Sequence, residues 1–317
     1  MHVQDVKEKV LSIPEISHWP AMTSSFEKML DDSSRIKWEL PMMTCRAVGS
    51  NTSAALSGAA AIACMQHSLV LIDDMLDEDP RGEYINEGYG NTSNVAFAFQ
   101  AAAYHLIDNA SLTPALSSKV MGSLAKLALT SSYGQYLDTR NLGGEENYWL
   151  TVRTKSTPFF GTAFEVGALF GKASLDEARQ LRKIGQVFGE VIQIHDDLND
   201  ALHSPASPDW IQNRSNLAIL FALTADHPGQ RHFEALLPEI SYPAVLEEAQ
   251  QVLIDCGAVS YCAYHVVKRY QYARQVLDSM RLADPIPLQN LLQWWIQPFI
   301  TLLSKHGNTI PMELFEP

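Results

Sequence analysis

The chain has 317 residues, of which 46% are hydrophobic, and a formal net charge of −13. That length and apolar content suffice for a large buried core, and the negative excess argues against nucleic acid and anionic lipid as partners. An anionic small substrate is not excluded, because local cations invert the field at a single site.

Cys45, Cys64, Cys256 and Cys262 lack zinc-ligand spacing and are few for the length, so they read as reduced thiols. The first stretch, MHVQDVKEKVLSIPEISHWP, has neither a basic start nor an apolar signal core, which makes the cytoplasm the expected location. Further on, NTSAALSGAAAIACMQHSLVLIDDMLDED predicts a helix opening at Asn51 or Thr52 as N-cap and running without proline to Pro80. NVAFAFQAAAYHLI and PALSSKVMGSLAKLALTSSYGQYLDTRN predict two more helices. EENYWLTVRTKSTPFFGTAFEVGALFG predicts a fourth, kinked at Pro158. SLDEARQLRKIGQVFGEVIQIHDDLNDALH opens with a capping box, Ser174 and Glu177, and must stop before Pro205.

No convincing period-2 alternation and no linker interrupt the pattern, so residues 1–317 are expected to form a single all-α domain. The apolar runs AALSGAAAIACM and LLQWWIQPFITLL read as core helices too short to span a bilayer, although the Trp294–Trp295 pair leaves contact with a membrane surface open.

Acidic residues carry the chemistry. Asp73, Asp74 and Asp77 spell D-D-x-x-D at the end of an apolar run, and Asp196, Asp197 and Asp200 spell it again in VIQIHDDLNDA. On a helix the first and last members stack one turn apart, and the middle one lies about 100° round. At ordinary composition two copies arise by chance in about one such chain in several hundred. The apolar flanks turn both clusters inward, where carboxylates repel one another unless cations lie among them. All-oxygen donors without a His or Cys cage favour a hard ion, and Mg²⁺ typically bridges protein carboxylates to substrate phosphates. His67 and His195 flank the motifs, and a His on an apolar face is more often a packing residue than a ligand.

With these motifs the sequence resembles the trans-isoprenyl diphosphate synthases, or polyprenyl synthetases, over roughly residues 30 to 225. The resemblance implies a single all-α bundle of the isoprenoid synthase type. In it the two aspartate-rich motifs face each other and hold Mg²⁺, three ions in all, against an allylic diphosphate. Gly134 to Asp138, GQYLD, looks like the family's G-Q-x-x-D, with Gln135 and Asp138 as substrate contacts; Lys155 with Ser156 looks like its K-T pair, whose Lys contacts the diphosphate. A homodimer is also implied.

The departures are concentrated. Only Arg81–Gly82 remains of the Arg-Arg-Gly after the first motif. In RIKWELP, Lys37 and Pro41 fit the element that grips isopentenyl diphosphate, but Trp38 and Leu40 stand where arginines belong. The family's His seven residues before the first Asp is Gln66, and the Gly-Lys after the second motif is missing, with Arg214 or Lys172 as substitutes that no spacing argument separates. Arg35, Lys37 and Arg46 are the candidates for another cationic grip.

Neither Trp nor Leu replaces a bidentate Arg–phosphate contact. The expected enzyme is therefore a prenyltransferase that ionises an allylic diphosphate and passes the prenyl group to an unknown acceptor other than isopentenyl diphosphate bound in the ordinary way. Two alternatives stand beside it: a class I terpene cyclase using the same metal clamp, and a non-catalytic subunit of a prenyl synthase. Phe97, Phe99, Tyr104, Phe159, Phe160 and Phe164 are cation-stabilising candidates, though aromatic stripes in helices are usually core. In the resembled family, positions four and five before the first Asp floor the tail pocket. Here they are Leu69 and Ser68, neither a large aromatic plug, so a tail of at least farnesyl length is expected to pass towards Met65.

Overall fold

The computed structural model describes residues 3–29 and 35–305, with no side chain described for Arg35 or for 302–305. Sixteen α-helices follow one another, and no strand occurs among the described residues: α1 (Val3–Leu11), α2 (Pro14–Ser17), α3 (Pro20–Met29), α4 (Arg35–Ala47), α5 (Leu56–Leu76), α6 (Tyr84–Asp108), α7 (Pro114–Arg140) and α8 (Glu145–Lys155), then α9 (Thr157–Phe170), α10 (Leu175–Leu202), α11 (Pro208–Ile211), α12 (Leu217–Thr224), α13 (Gln230–Leu236), α14 (Pro243–Asp255), α15 (Ala258–Ser279) and α16 (Ile286–Lys305). The all-α expectation holds.

Local chemistry accounts for the boundaries. Asn51 accepts from the Ser53 amide and starts a 3-10 turn, Thr52–Ala55, that runs into α5. α5 stops at Leu76, earlier than its sequence pattern suggests, because Glu78 turns into the left-handed region (φ 53°) and Asp79 then accepts from the Arg81 amide. Between α8 and α9 the chain breaks at Ser156, with Pro158 in the first turn of α9, as expected of a residue that cannot continue the preceding ladder. The Ser174–Glu177 capping box forms reciprocally at the start of α10.

α9 is buried along its whole length, the pattern of a helix apolar all round. α10 packs most extensively on α9, and α6 on α5. One continuous core runs from Val6 to Phe299, so α16 belongs to it: Trp295 stacks on Phe188 of α10 at 4.8 Å, while Trp294 stays 45% exposed. Residues 52–76 are, contrary to the expectation from the shorter run, long and apolar enough to cross a membrane, yet most of that surface is buried inside the bundle.

Gly134 decides one crossing. A Cβ there would collide with the backbone of Thr154 and Lys155, so its absence lets α7 lie directly on the end of α8. Asp138, four residues on, is thereby laid against Lys155, while Gln135 donates to Asp73.

Candidate active site

The ends of α5, α7, α8 and α10 surround a cleft of about 340 Å³, lined by Asp73, Lys37, Lys155 and Asp196 among polar groups and by Leu69, Phe159, Phe160 and Ile192 among apolar ones. A second chamber of about 170 Å³, lined by Asp77, Asp138, Asp200, Asp209 and Arg214, shares Lys155, Ser156 and Gln193 with the first. The two D-D-x-x-D segments therefore face one another across a common space, as the apolar flanks and the family resemblance led us to expect.

Lys155 is the hinge of this arrangement. Its ammonium lies 2.9 Å from Asp73 and 2.5 Å from Asp138, and Gln135 donates to the same Asp73 oxygen. Burial opposes charge on Lys155, but Asp73 and Asp138 outweigh it and hold its pKa above the usual lysine range. Elsewhere negative charge is only partly compensated. Burial and then the neighbouring Asp79 and Asp73 push Asp74 up to about 6; burial, against the pull of Lys37, does the same to Asp196. Burial also raises Asp77, Asp200 and Asp209.

The six motif aspartates do not play equivalent parts. Asp197 is 2% exposed, and its carboxylate accepts from Tyr148 Oη (2.7 Å), the Leu217 amide (2.8 Å) and Gln193 Nε2 (2.9 Å). Burial pushes it up to about 7 against the pull of those donors. Asp197 lines the second chamber as well, so beside its expected metal-ligand role this carboxylate also ties α8, α10 and α12 together. Asp74 lines neither chamber and sits by the Asp79 turn, off the common space.

Other expectations change too. Trp38 and Leu40 are completely buried in the core and line neither chamber. A Trp38→Arg, Leu40→Arg pair would bury two charges rather than rebuild a phosphate grip. Ser68 is likewise buried away from the cleft, leaving Leu69 as the one of the two that faces it. Arg81 has an 89% exposed side chain held by Asp79 at 2.7 Å and lines neither chamber. Phe97 points to solvent at 69% exposure, whereas Phe159 and Phe160 form the apolar wall. Both histidines are packing residues: His67 contacts Ser25 and the Phe99 ring, and His195 bonds the Trp295 carbonyl.

Of the cationic substitutes, geometry picks Arg214, whose guanidinium lies 2.9 Å from Asp77 Oδ2 and also donates to the Asp77 carbonyl. Lys172 sits in the turn after α9, with φ 66°, and lines neither chamber. Arg46 pairs with Asp284, and the Arg35 side chain falls outside the described residues.

Tyr148, Gln193, Asp209 and Asn216 were not anticipated. Gln193 was findable, since it lies one helical turn before Asp197. The others come from distant segments and carry no local signal.

A bundle with two facing carboxylate-bearing helix ends is the class of architecture found in isoprenoid synthases. Residues 21–253 match the model of the polyprenyl synthetase family, and the chain belongs to that family. It is 25% identical over 266 residues to a geranylgeranyl diphosphate synthase of Methanosarcina mazei, covering 78% of this chain and 80% of that one. To a nonaprenyl diphosphate synthase of Mycobacterium tuberculosis it is 29% identical over 270 residues, covering 80% and 78% respectively. Among solved structures, a geranylgeranyl pyrophosphate synthetase from Pyrococcus horikoshii superposes with a TM-score of 0.82 at 19% identity, covering 93% of this chain and 95% of that one, a likeness of fold.

Proposed function

We propose that this chain is a Mg²⁺-dependent prenyltransferase that ionises an allylic isoprenyl diphosphate and transfers its prenyl group to a second substrate. The observation that carries the reading is the shared space between the two aspartate motifs, with Lys155 bridging Asp73 and Asp138 at its centre and Arg214 at its edge. The matched relatives are named as diphosphate synthases, which favours transfer over the cyclase and inert-subunit readings.

The donor set fits Mg²⁺. Asp73, Asp77, Asp196 and Asp200 offer hard oxygens from opposite sides. That suits an ion that keeps waters and completes its shell with phosphate oxygens. Asp77, Asp196 and Asp200 are carboxyls whose charged form burial disfavours and a cation would favour. When bound, Mg²⁺ would supply charge withdrawal from the departing diphosphate. Lys155 and Arg214 add fixed positive charge on the same side, Gln135 holds Asp73 in place, and Phe159, Phe160 and Ile192 exclude water from the carbon that becomes cationic.

Release of diphosphate from farnesyl diphosphate with Mg²⁺, abolished by a chelator, is the expected result; no release under either condition would refute the reading. Arg214→Ala is expected to raise KM for farnesyl diphosphate about ten- to hundredfold, the loss of one charge-assisted contact of roughly 1.5–3 kcal/mol. An unchanged KM would remove Arg214 from the diphosphate grip.

The tail is proposed to run along Leu69 and to be of farnesyl length or longer. Leu69→Phe should then favour shorter allylic substrates by steric exclusion. Ser68→Phe, by contrast, should overpack the core and lower stability by roughly 1–3 kcal/mol with little change in selectivity. The pair is read by comparing geranyl, farnesyl and geranylgeranyl diphosphates as substrates alongside thermal melts; a reversed pattern would place the tail elsewhere.

A further inference from the structure

Tyr148 belongs to neither aspartate motif, yet it joins the helix that carries Lys155 to the helix that carries the second motif. It lies seven residues before Lys155, close to two turns, so both side chains leave the same face of α8, and both border the second chamber. Another face of α8 is fixed from behind. The Arg269 guanidinium of α15 lies 4.2 Å from the Trp149 ring centroid and donates to Glu190 of α10 at 2.6 Å, while Arg153 of α8 donates to the other Glu190 oxygen at 2.9 Å. From this braced helix the buried Tyr148 side chain reaches α10.

A carboxylate only accepts, so the Tyr148 hydroxyl donates to Asp197 Oδ2, at 2.7 Å, and the Leu217 amide of α12 donates to the same oxygen at 2.8 Å. Gln193, the third donor, sits on α10 itself and bonds Oδ1. Oδ2 is thus the atom by which α8 and α12 hold α10 from outside. On that helix Asp196 borders the cleft, Asp200 borders the second chamber, and Asp197 stands about 100° round from Asp196. With Asp197 tied to two neighbouring helices, α10 cannot turn about its axis without breaking those bonds. That rotation decides where the Asp196 and Asp200 carboxylates point. Groups that orient metal-binding side chains through hydrogen bonds govern metal affinity, and losing one costs about ten- to hundredfold.

We infer that Tyr148 is a positioning residue whose hydroxyl, acting through Asp197, fixes the rotation of α10 at which Asp196 and Asp200 meet a Mg²⁺-bound diphosphate. The inference rests on the metal-dependent prenyl-transfer reading and adds to it a residue outside both motifs.

The test is calorimetric binding of inorganic diphosphate to the full chain over a series of Mg²⁺ concentrations, beside diphosphate release from farnesyl diphosphate. Tyr148→Phe, which removes only the hydroxyl, is expected to weaken Mg²⁺-dependent diphosphate binding about tenfold and to raise the half-saturating Mg²⁺ concentration for release by a similar factor. In the Asp197→Asn background the same change should alter that binding less than about twofold, because the hydroxyl acts only through the carboxylate. A hydroxyl that merely supported the fold would lower the melting temperature and leave the Mg²⁺-dependent affinity where it was. Should Tyr148→Phe fail to fold, Tyr148→Met takes its place, since it also lacks the hydroxyl and fills the space adaptably. Unchanged Mg²⁺-dependent binding in the folded Tyr148 variant, or an effect that persists in full beside Asp197→Asn, overturns this inference and spares the prenyl-transfer reading. An unmodified protein that neither binds nor releases diphosphate with Mg²⁺ overturns both.

Discussion

Asp73→Ala is expected to lower kcat/KM for farnesyl diphosphate by about a thousandfold or more, equivalent to roughly 4 kcal/mol of lost transition-state stabilisation. Asp73 lines the cleft, pairs with Lys155 at 2.9 Å and accepts from Gln135, so its removal takes away a proposed metal ligand and loosens the lysine at once. Its side chain is 36% exposed and stands among like charges, so the fold should survive. The check pairs a steady-state diphosphate-release assay with a thermal melt. Near-normal turnover in a folded Asp73→Ala protein would dismantle the proposed metal clamp. Lys155 would still hold Asp138 in that variant, and for this reason Lys155→Ala is the informative partner in a double-mutant comparison.

Asp197→Asn should behave in the opposite way, as a stability defect first and an activity defect second. Three donors converge on that carboxylate, from Tyr148, Gln193 and the Leu217 amide. An amide offers them one oxygen and turns an NH₂ group against another donor, so at least one buried donor is left unpaired. The expected cost is about 2–4 kcal/mol. Activity should fall with it, because the Asp197 carboxylate holds the Leu217 amide while its backbone carbonyl accepts from Asn216, and these anchor the segment that carries Arg214. Chemical denaturation of Asp197→Asn beside Asp196→Asn separates the two roles. Equal stabilities for the two variants would contradict the assignment of Asp197 to the scaffold, since Asp196 makes no hydrogen bond among the described residues and faces the open cleft.

The split between neighbours explains what a linear reading can and cannot supply. The helical period alone places Asp73 with Asp77, and Asp196 with Asp200, on common faces, and the apolar residues before each motif already turn those faces inward. Asn51, the Ser174–Glu177 box and Pro158 likewise act within a turn of their own positions, so the boundaries they govern were legible.

Trp38 and Gln66, 28 residues apart, became a hydrogen-bonded pair only when α4 packed on α5. The contrast between Arg214 and Lys172 was also invisible, because nothing near either residue reveals which one reaches Asp77. By itself the sequence determined an all-α chain with two carboxylate faces turned towards a common interior, since period and polarity are properties of single helices. Only the tertiary structure decided which carboxylates stand free at the site and which are also tied into the fold, because a side chain's role depends on the donors that other helices bring to it.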